Sequence, residues 1–171
     1  MKAILEFRSQ ELPVTIDYIK TYFAIDESDE HITNLLQVAI EYVELQNGVS
    51  LGKKIWKMIH DNNYICLNFP PIIKLLSVTD AQENEIKPIS VKRCNDSLIV
   101  QVESINKMVH VRYEAGYDQA TLPDCLKDTI CEKFWELYIE NSNSSNKYNY
   151  NYDCAIKTQR DGVYGKYAIK F

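Results

Sequence analysis

Apolar residues recur with a helical period in three stretches of the chain, and with a period of two in the long stretch between the second and third. Thr15 is placed to cap a short helix ending near Ala24, in which Ile16, Ile19 and Phe23 share one face while Tyr18 and Tyr22 form a second apolar stripe. An acidic stretch from Asp26 to Glu30 follows. Within it Ser28 can cap a second helix, and Asp29 and Glu30 stand where the positive end of the helix dipole favours carboxylates. Along that helix Ile32, Leu35, Leu36, Ala39, Ile40 and Val43 recur at i, i+3, i+4 and i+7 until Gly48 stops it. Val38, Tyr42 and Leu45 widen its apolar surface beyond what one small core needs, which predicts that another subunit covers part of it.

From Leu51 to Tyr117 the pattern changes to short segments such as KIWKMI, YICLNF, IIKLLSVT, SLIVQV and MVHVRY, which predict an antiparallel β section. The last alternates best, with Val109, Val111 and Tyr113 on one side and His110, Arg112 and Glu114 on the other, as in a strand with one wet face. Pro70-Pro71 and the polar stretch Asp80 to Pro88 are expected to break the section into hairpins. A third helix starts at Pro123, whose missing N–H costs nothing in a first turn, and buries Leu126, Ile130, Phe134 and Leu137; Trp135 and Ile139 lie off that stripe. After Asn141 the stretch NSNSSNKYNYNY can bury little apolar area and reads as a flexible linker. The closing VYGKYAIKF turns apolar and aromatic again, which fits a docking peptide or a strand returned to the chain's own sheet. The expected architecture is α+β: a small bundle of three main helices, an antiparallel β-hairpin section between helices two and three, and a flexible C-terminal tail. The boundaries are 1–142 for the domain, 143–162 for the Asn/Ser/Tyr-rich linker and 163–171 for the terminal docking segment.

At 171 residues, 46% of them hydrophobic, the chain is sized for one domain with one core and is too short for two comfortable ones. Its 24 acidic residues outnumber 19 basic ones. That disfavours tight DNA binding by phosphate neutralisation, yet suits a channel along which DNA slides without sticking. Cys66, Cys94, Cys125, Cys131 and Cys154 are scattered without a CxxC pair and read as reduced thiols made in a cytoplasm. The opening MKAILEFRSQELP, interrupted by Glu6 and Arg8, reads as neither a signal peptide nor a membrane span.

Candidate chemistry is sparse. His31, His60 and His110 fall in a first helical turn, at a strand end and on an exposed strand face, and read as surface histidines. The chain has no GxGxxG, GxxxxGK[ST] or HExxH motif. Asp26, Glu27, Asp29 and Glu30 are numerous enough for a divalent cation but lack calcium-loop spacing, and a dipole-matched helix start accounts for them. Cys125 and Cys131, six residues apart on one helix, are assigned to core packing. No cofactor, no metal and no catalytic residue is assigned. Tyrosines with Lys147, Lys157, Lys166 and Lys170 interleaved through the tail could stack bases, so a small nucleic-acid-binding or regulatory module is the alternative reading. An enzyme with a site assembled between subunits is a further rival that no residue pattern supports.

The order of segments resembles one protein family. LPVTIDYIKTYFAID, ESDEHITNLLQVAIEYVE and Gly48 look like the opening of the head-tail connector (adaptor) proteins of long-tailed phages, including the adaptors of gene transfer agents. Trp56, FPPIIKLLSVT, VRYEAGYD and LPDCLKDTICEKFWELYIEN resemble its later elements in order, and VYGKYAIKF resembles its short aromatic-basic end. The Ala115-Gly116-Tyr117 corner is the sharpest element, since a strand leaving a sheet into a tight turn often needs the positive φ that glycine allows.

The resemblance implies a structural protein without an active site, from a phage, a prophage or a gene transfer agent. It implies a ring of about twelve copies beneath the portal. That ring extends the DNA channel and meets a head-closure or tail protein, with DNA only as passing cargo and no membrane partner. The location it implies is the virion neck, after synthesis in the bacterial host cytoplasm. On this reading Tyr18, Tyr22, Tyr42 and Trp135 lie at subunit contacts, and Tyr164, Tyr167, Ile169 and Phe171 engage the portal.

Overall fold

A computed structural model describes residues 2–103 and 108–143. The elements run β1 (Lys2–Arg8), α1 (Ile16–Phe23), α2 (Asp29–Asn47), β2 (Lys54–His60), β3 (Tyr64–Cys66), β4 (Ile72–Asp80), β5 (Ser90–Cys94), β6 (Ser97–Gln101), β7 (Val109–Ala115) and α3 (Asp124–Asn143). The helix ends obey local chemistry. Thr15 Oγ1 accepts the Tyr18 N–H, Ser28 Oγ accepts the His31 N–H, and α2 closes on Gly48 at φ +63°. Apart from Asn143, the last residue of α3, the linker lies outside the described residues, as do the terminal segment and Cys154.

The α+β class holds, but the β section is not a set of hairpins leaning on a bundle. It forms two sheets, ordered β1-β2-β7-β4 and β3-β6-β5. Trp56 of β2 stands opposite Tyr113 of β7, and Met58 opposite Val111. These side chains, with Ile72 and Val78 of β4, meet Ile65, Leu98 and Val100 of the second sheet in a buried cluster. After β2 the chain enters the second sheet instead of turning back along the first, so among the described residues only β5 and β6 pair as sequence neighbours across a tight turn. A second cluster sits among the helices, built on Ile19, Ile32, Leu36, Val43, Ile130 and Phe134. The expectation of one core therefore gives way to two adjoining ones. Two inward sheet faces can bury each other, leaving the helices to cover only their own stripes.

One element was not expected, and one assignment changes. The first residues form β1, paired antiparallel with β2. Both faces of this edge strand are partly wet, so its sequence never alternates cleanly. Of the two α3 cysteines only Cys131 is buried; Cys125 is exposed and packs nothing central.

The two cores join through the segment Ser50–Lys54. Ser50 Oγ accepts the Trp56 indole N–H at 3.0 Å, and Ser50 and Gly52 exchange backbone bonds with Tyr117. Glu44 of α2 accepts the Leu51 N–H at 2.5 Å and pairs with the buried ammonium of Lys54, while Arg8 of β1 reaches Glu41 at 2.6 Å. Burial pushes the Glu44 carboxyl pKa up and the Lys54 pKa down, each opposed by the partner's charge. Gly116 at φ +124° completes the joint, because its backbone presses on that of Gly52.

Candidate interaction surface

Helix α1 has eight residues, too few to hold as an isolated helix, and survives by packing on its neighbours. Ile19 enters the helical core, and Phe23 at the C-terminal end lies flat on Trp135 of α3, with centroids 4.8 Å apart and planes 6° from parallel. The stack extends both ways. Tyr22 meets Phe23 edge-on at 4.8 Å and Tyr18 at 5.6 Å, while Trp135 stacks on Tyr138 at 5.4 Å. Five rings, Tyr18, Tyr22, Phe23, Trp135 and Tyr138, thus form a continuous ledge across α1 and α3, with Phe134 buried beneath it. Each stacked or edge-on pair is worth about 0.5–1.5 kcal/mol beyond burial.

Charge rims the ledge. Lys127 Nζ stands 3.6 Å from the Tyr18 centroid, Lys20 pairs with Asp29 at 2.5 Å, and Glu27 accepts the Tyr138 hydroxyl at 2.8 Å. The last bond holds the Tyr138 phenol pKa above its usual value. His31 completes the rim, its Nε2 3.4 Å from Glu27. Two side chains of the acidic turn therefore have partners within the chain, Glu27 on Tyr138 and Asp29 on Lys20.

Of the four expected contact residues, Tyr18, Tyr22 and Trp135 come together here. Tyr22 is 60% exposed and Trp135 37%. Tyr42 is also exposed but belongs elsewhere. Lys133 covers its ring at 4.4 Å, and positions 133 and 135 point to nearly opposite sides of α3. Tyr164, Tyr167, Ile169 and Phe171 lie outside the described residues. The sequence reading did not place Phe23 and Tyr138 in the surface. The spacing of Trp135 and Tyr138, three residues apart on one helix, was the available signal, whereas their match to Phe23 depends on how α1 sits on α3.

A rigid aromatic row with a polar rim is suited to burial against another protein, since large rings lose little conformational entropy there and dominate interface energies. A cleft of about 150 Å³ lies between the β1–α1 connection and α2, lined by Arg8, Leu12, Gln37 and Gly52. It falls short of the roughly 300 Å³ from which small-molecule sites begin. No helix among the described residues is long and apolar enough to cross a membrane.

No protein-family model matches the chain. No curated protein sequence matches it either. Its fold is shared with solved structures of low sequence identity. A chain from the neck of an empty gene-transfer-agent particle with C6 symmetry superposes with a TM-score of 0.66 at 11% identity, covering 81% of this chain and 84% of that one. A chain from the virion of a native gene transfer agent gives 0.64 at 13% identity, over 81% and 84%. One from the neck of a native particle with C12 symmetry gives 0.64 at 12%, over 79% and 82%. At these identities the likeness establishes the fold.

Proposed function

We propose that this chain is a structural head-tail connector, or adaptor, subunit of the neck of a tailed phage or gene transfer agent. It forms an oligomeric ring between the portal and the head-closure or tail protein, and it extends the DNA channel without performing catalysis. The observation that carries the reading is the shared fold over about four-fifths of the chain with chains from gene-transfer-agent necks and virions, one of them from a neck with C12 symmetry. The segment order noted in the sequence points the same way. The ledge, on which Tyr22 and Trp135 are exposed, supplies an apolar surface of the kind a ring subunit buries.

The acidic balance of the whole chain fits a conduit from which DNA is released. The terminal segment Val163 to Phe171, aromatic and basic, is assigned to the portal, with Tyr164, Tyr167, Ile169 and Phe171 as its anchors.

Negative-stain electron microscopy of the purified chain, alone and mixed with the portal encoded beside it, tests the proposal, with light scattering for mass. A ring, or a new layer on the narrow end of the portal, is expected. A monomer that leaves the portal unchanged overturns it. Removing residues 163–171 should abolish portal binding while the far-ultraviolet circular dichroism stays as in the full chain; undiminished binding would reject the docking role of the tail.

A further inference from the structure

The ledge accounts for one side of a ring contact, and a cyclic assembly needs a different surface to meet it. The second surface is legible at the open side of the β sandwich. Strands β4 and β5 are both edges: among the described residues β4 pairs in a ladder only with β7, and β5 only with β6. The start of β4 is tied to β5 by Arg93, whose guanidinium donates to the Ile72 carbonyl at 2.9 Å and the Ile73 carbonyl at 3.4 Å. At the other end the Ile86 N–H donates to the Val78 carbonyl at 2.8 Å. Between these ties Ile73, Leu76, Ile89 and Val91 are exposed, the last two 57% and 46%.

The β4–β5 side is basic, whereas the α1–α2 side of the ledge is predominantly acidic, with Lys20 and Lys127 as the cations at its rim. Residues 72–76 and 87–93 hold Lys74, Lys87, Lys92 and Arg93 and no carboxylate. Of these, Lys74 also reaches Glu114 at 3.4 Å. Residues 16–30, which bear half the ledge and the corner beside it, hold five carboxylates, Asp17, Asp26, Glu27, Asp29 and Glu30, against the single cation Lys20. Exposed like-signed charge around an apolar patch discourages self-pairing of that patch and favours one of opposite sign, which also fixes the register of contact.

We infer that the β4–β5 edge of one copy docks on the aromatic ledge and acidic α1–α2 corner of the next, giving the head-to-tail contact of the ring. The inference rests on the ring reading above and names the two faces that make it. Ile89 and Val91 lie against Tyr22 and Trp135, while Lys87 and Lys92 face Asp26 and Glu30. Repeated around an axis, the contact closes without a free face. An isologous pairing of ledge on ledge would instead bring together the ten carboxylates of two 16–30 segments, with only Lys20 and Lys127 of each copy against them, and stop at a dimer.

Charge reversal tests it in the full chain, at exposed positions away from both cores. The edge variant is Lys87→Glu with Lys92→Glu, and the corner variant is Asp26→Lys with Glu30→Lys. Assembly is followed by sedimentation velocity, alone or on the portal if rings form only there. Each variant alone should need at least about tenfold more protein to assemble. An equimolar mixture should recover wild-type assembly, because each reversed face then meets a neighbour of opposite sign. An edge variant that assembles like the wild type, or a mixture that fails to recover, overturns this pairing and leaves the ring standing. A wild-type chain that assembles neither alone nor on the portal overturns the ring and the pairing together. Unchanged circular dichroism of both variants separates lost contact from lost fold.

Discussion

The ammonium of Lys54 in β2 and the carboxylate of Glu44 in α2 meet where the two cores join, with the lysine 2% and the glutamate 8% exposed. Desolvation opposes both charges, raising the Glu44 pKa and lowering that of Lys54, so each ion is kept in place by the other. Glu44→Ala or Lys54→Ala strands one charge and should cost about 3–5 kcal/mol in urea unfolding. The double substitution Glu44→Leu with Lys54→Met should cost less than either. A double variant as unstable as the sum of the two singles would show that the residues act independently.

The approach of Gly116 to Gly52 leaves no room for a side chain. A Cβ on Gly116 would stand 2.0 Å from the Gly52 carbonyl oxygen, and the residue's φ is +124°. Gly116→Ala should therefore cost about 3–5 kcal/mol, in the range of overpacked and strained sites. Gly48→Ala, where the added methyl meets nothing within 4 Å, should cost only the left-handed backbone penalty of about 1–2 kcal/mol. Thermal unfolding of the two variants orders them directly.

Adjacent rings of α3 should part company in their effects. Phe134 is fully buried in the helical core, so Phe134→Ala should lose about 3–5 kcal/mol of stability. Trp135→Ala removes stacking from a ledge that is partly wet and should cost no more than about 1.5 kcal/mol, yet abolish ring formation. Melting temperature and sedimentation, measured on the same samples, separate the roles; a Trp135→Ala chain that still assembles would remove the ledge from the interface.

Asp118 organises the turn that launches α3. Its carboxylate accepts the Thr121 hydroxyl at 2.8 Å, the Thr121 N–H at 3.0 Å and the Ala120 N–H at 3.1 Å. The bonds from Thr121, with lesser help from Lys53, hold its pKa below the ordinary aspartate value. An acid whose folded pKa lies below its unfolded value lends stability above about pH 4, which is lost as the pH falls through the folded value. Asp118→Ala should thus melt below the wild type at neutral pH, and the gap should close on acidification; a constant gap would refute the assignment.

The Tyr113 hydroxyl, buried between the sheets, donates to the Asn68 carbonyl at 3.0 Å, and desolvation pushes its pKa well above the usual tyrosine value. Tyr113→Phe keeps the ring and orphans the carbonyl, so a loss of about 1–2 kcal/mol is expected in urea unfolding.

The sequence by itself determined the elements whose causes are local. Thr15, Ser28 and Gly48 mark helix ends because capping engages only the next turn of chain, and Val109 to Glu114 reads as a half-buried strand because alternation needs only a sheet with one wet face. The apolar excess at Tyr22 and Trp135 was equally legible, since each breaks its own helix's pattern. Tertiary structure alone decided what depends on distant partners. The edge strands β1 and β5 carry little alternation, and their existence rests on β2 and β6. The order β1-β2-β7-β4 brings Trp56 to Tyr113 across more than fifty residues, a register no local pattern records. Packing of α1 on α3 put Phe23 against Trp135 and left Tyr42 on another flank. The ties from Arg93 to Ile72 and Ile73 and from Ile86 to Val78 join the β4 and β5 regions of two different sheets, because a contact between faces follows from the relative placement of elements that the one-dimensional pattern does not encode.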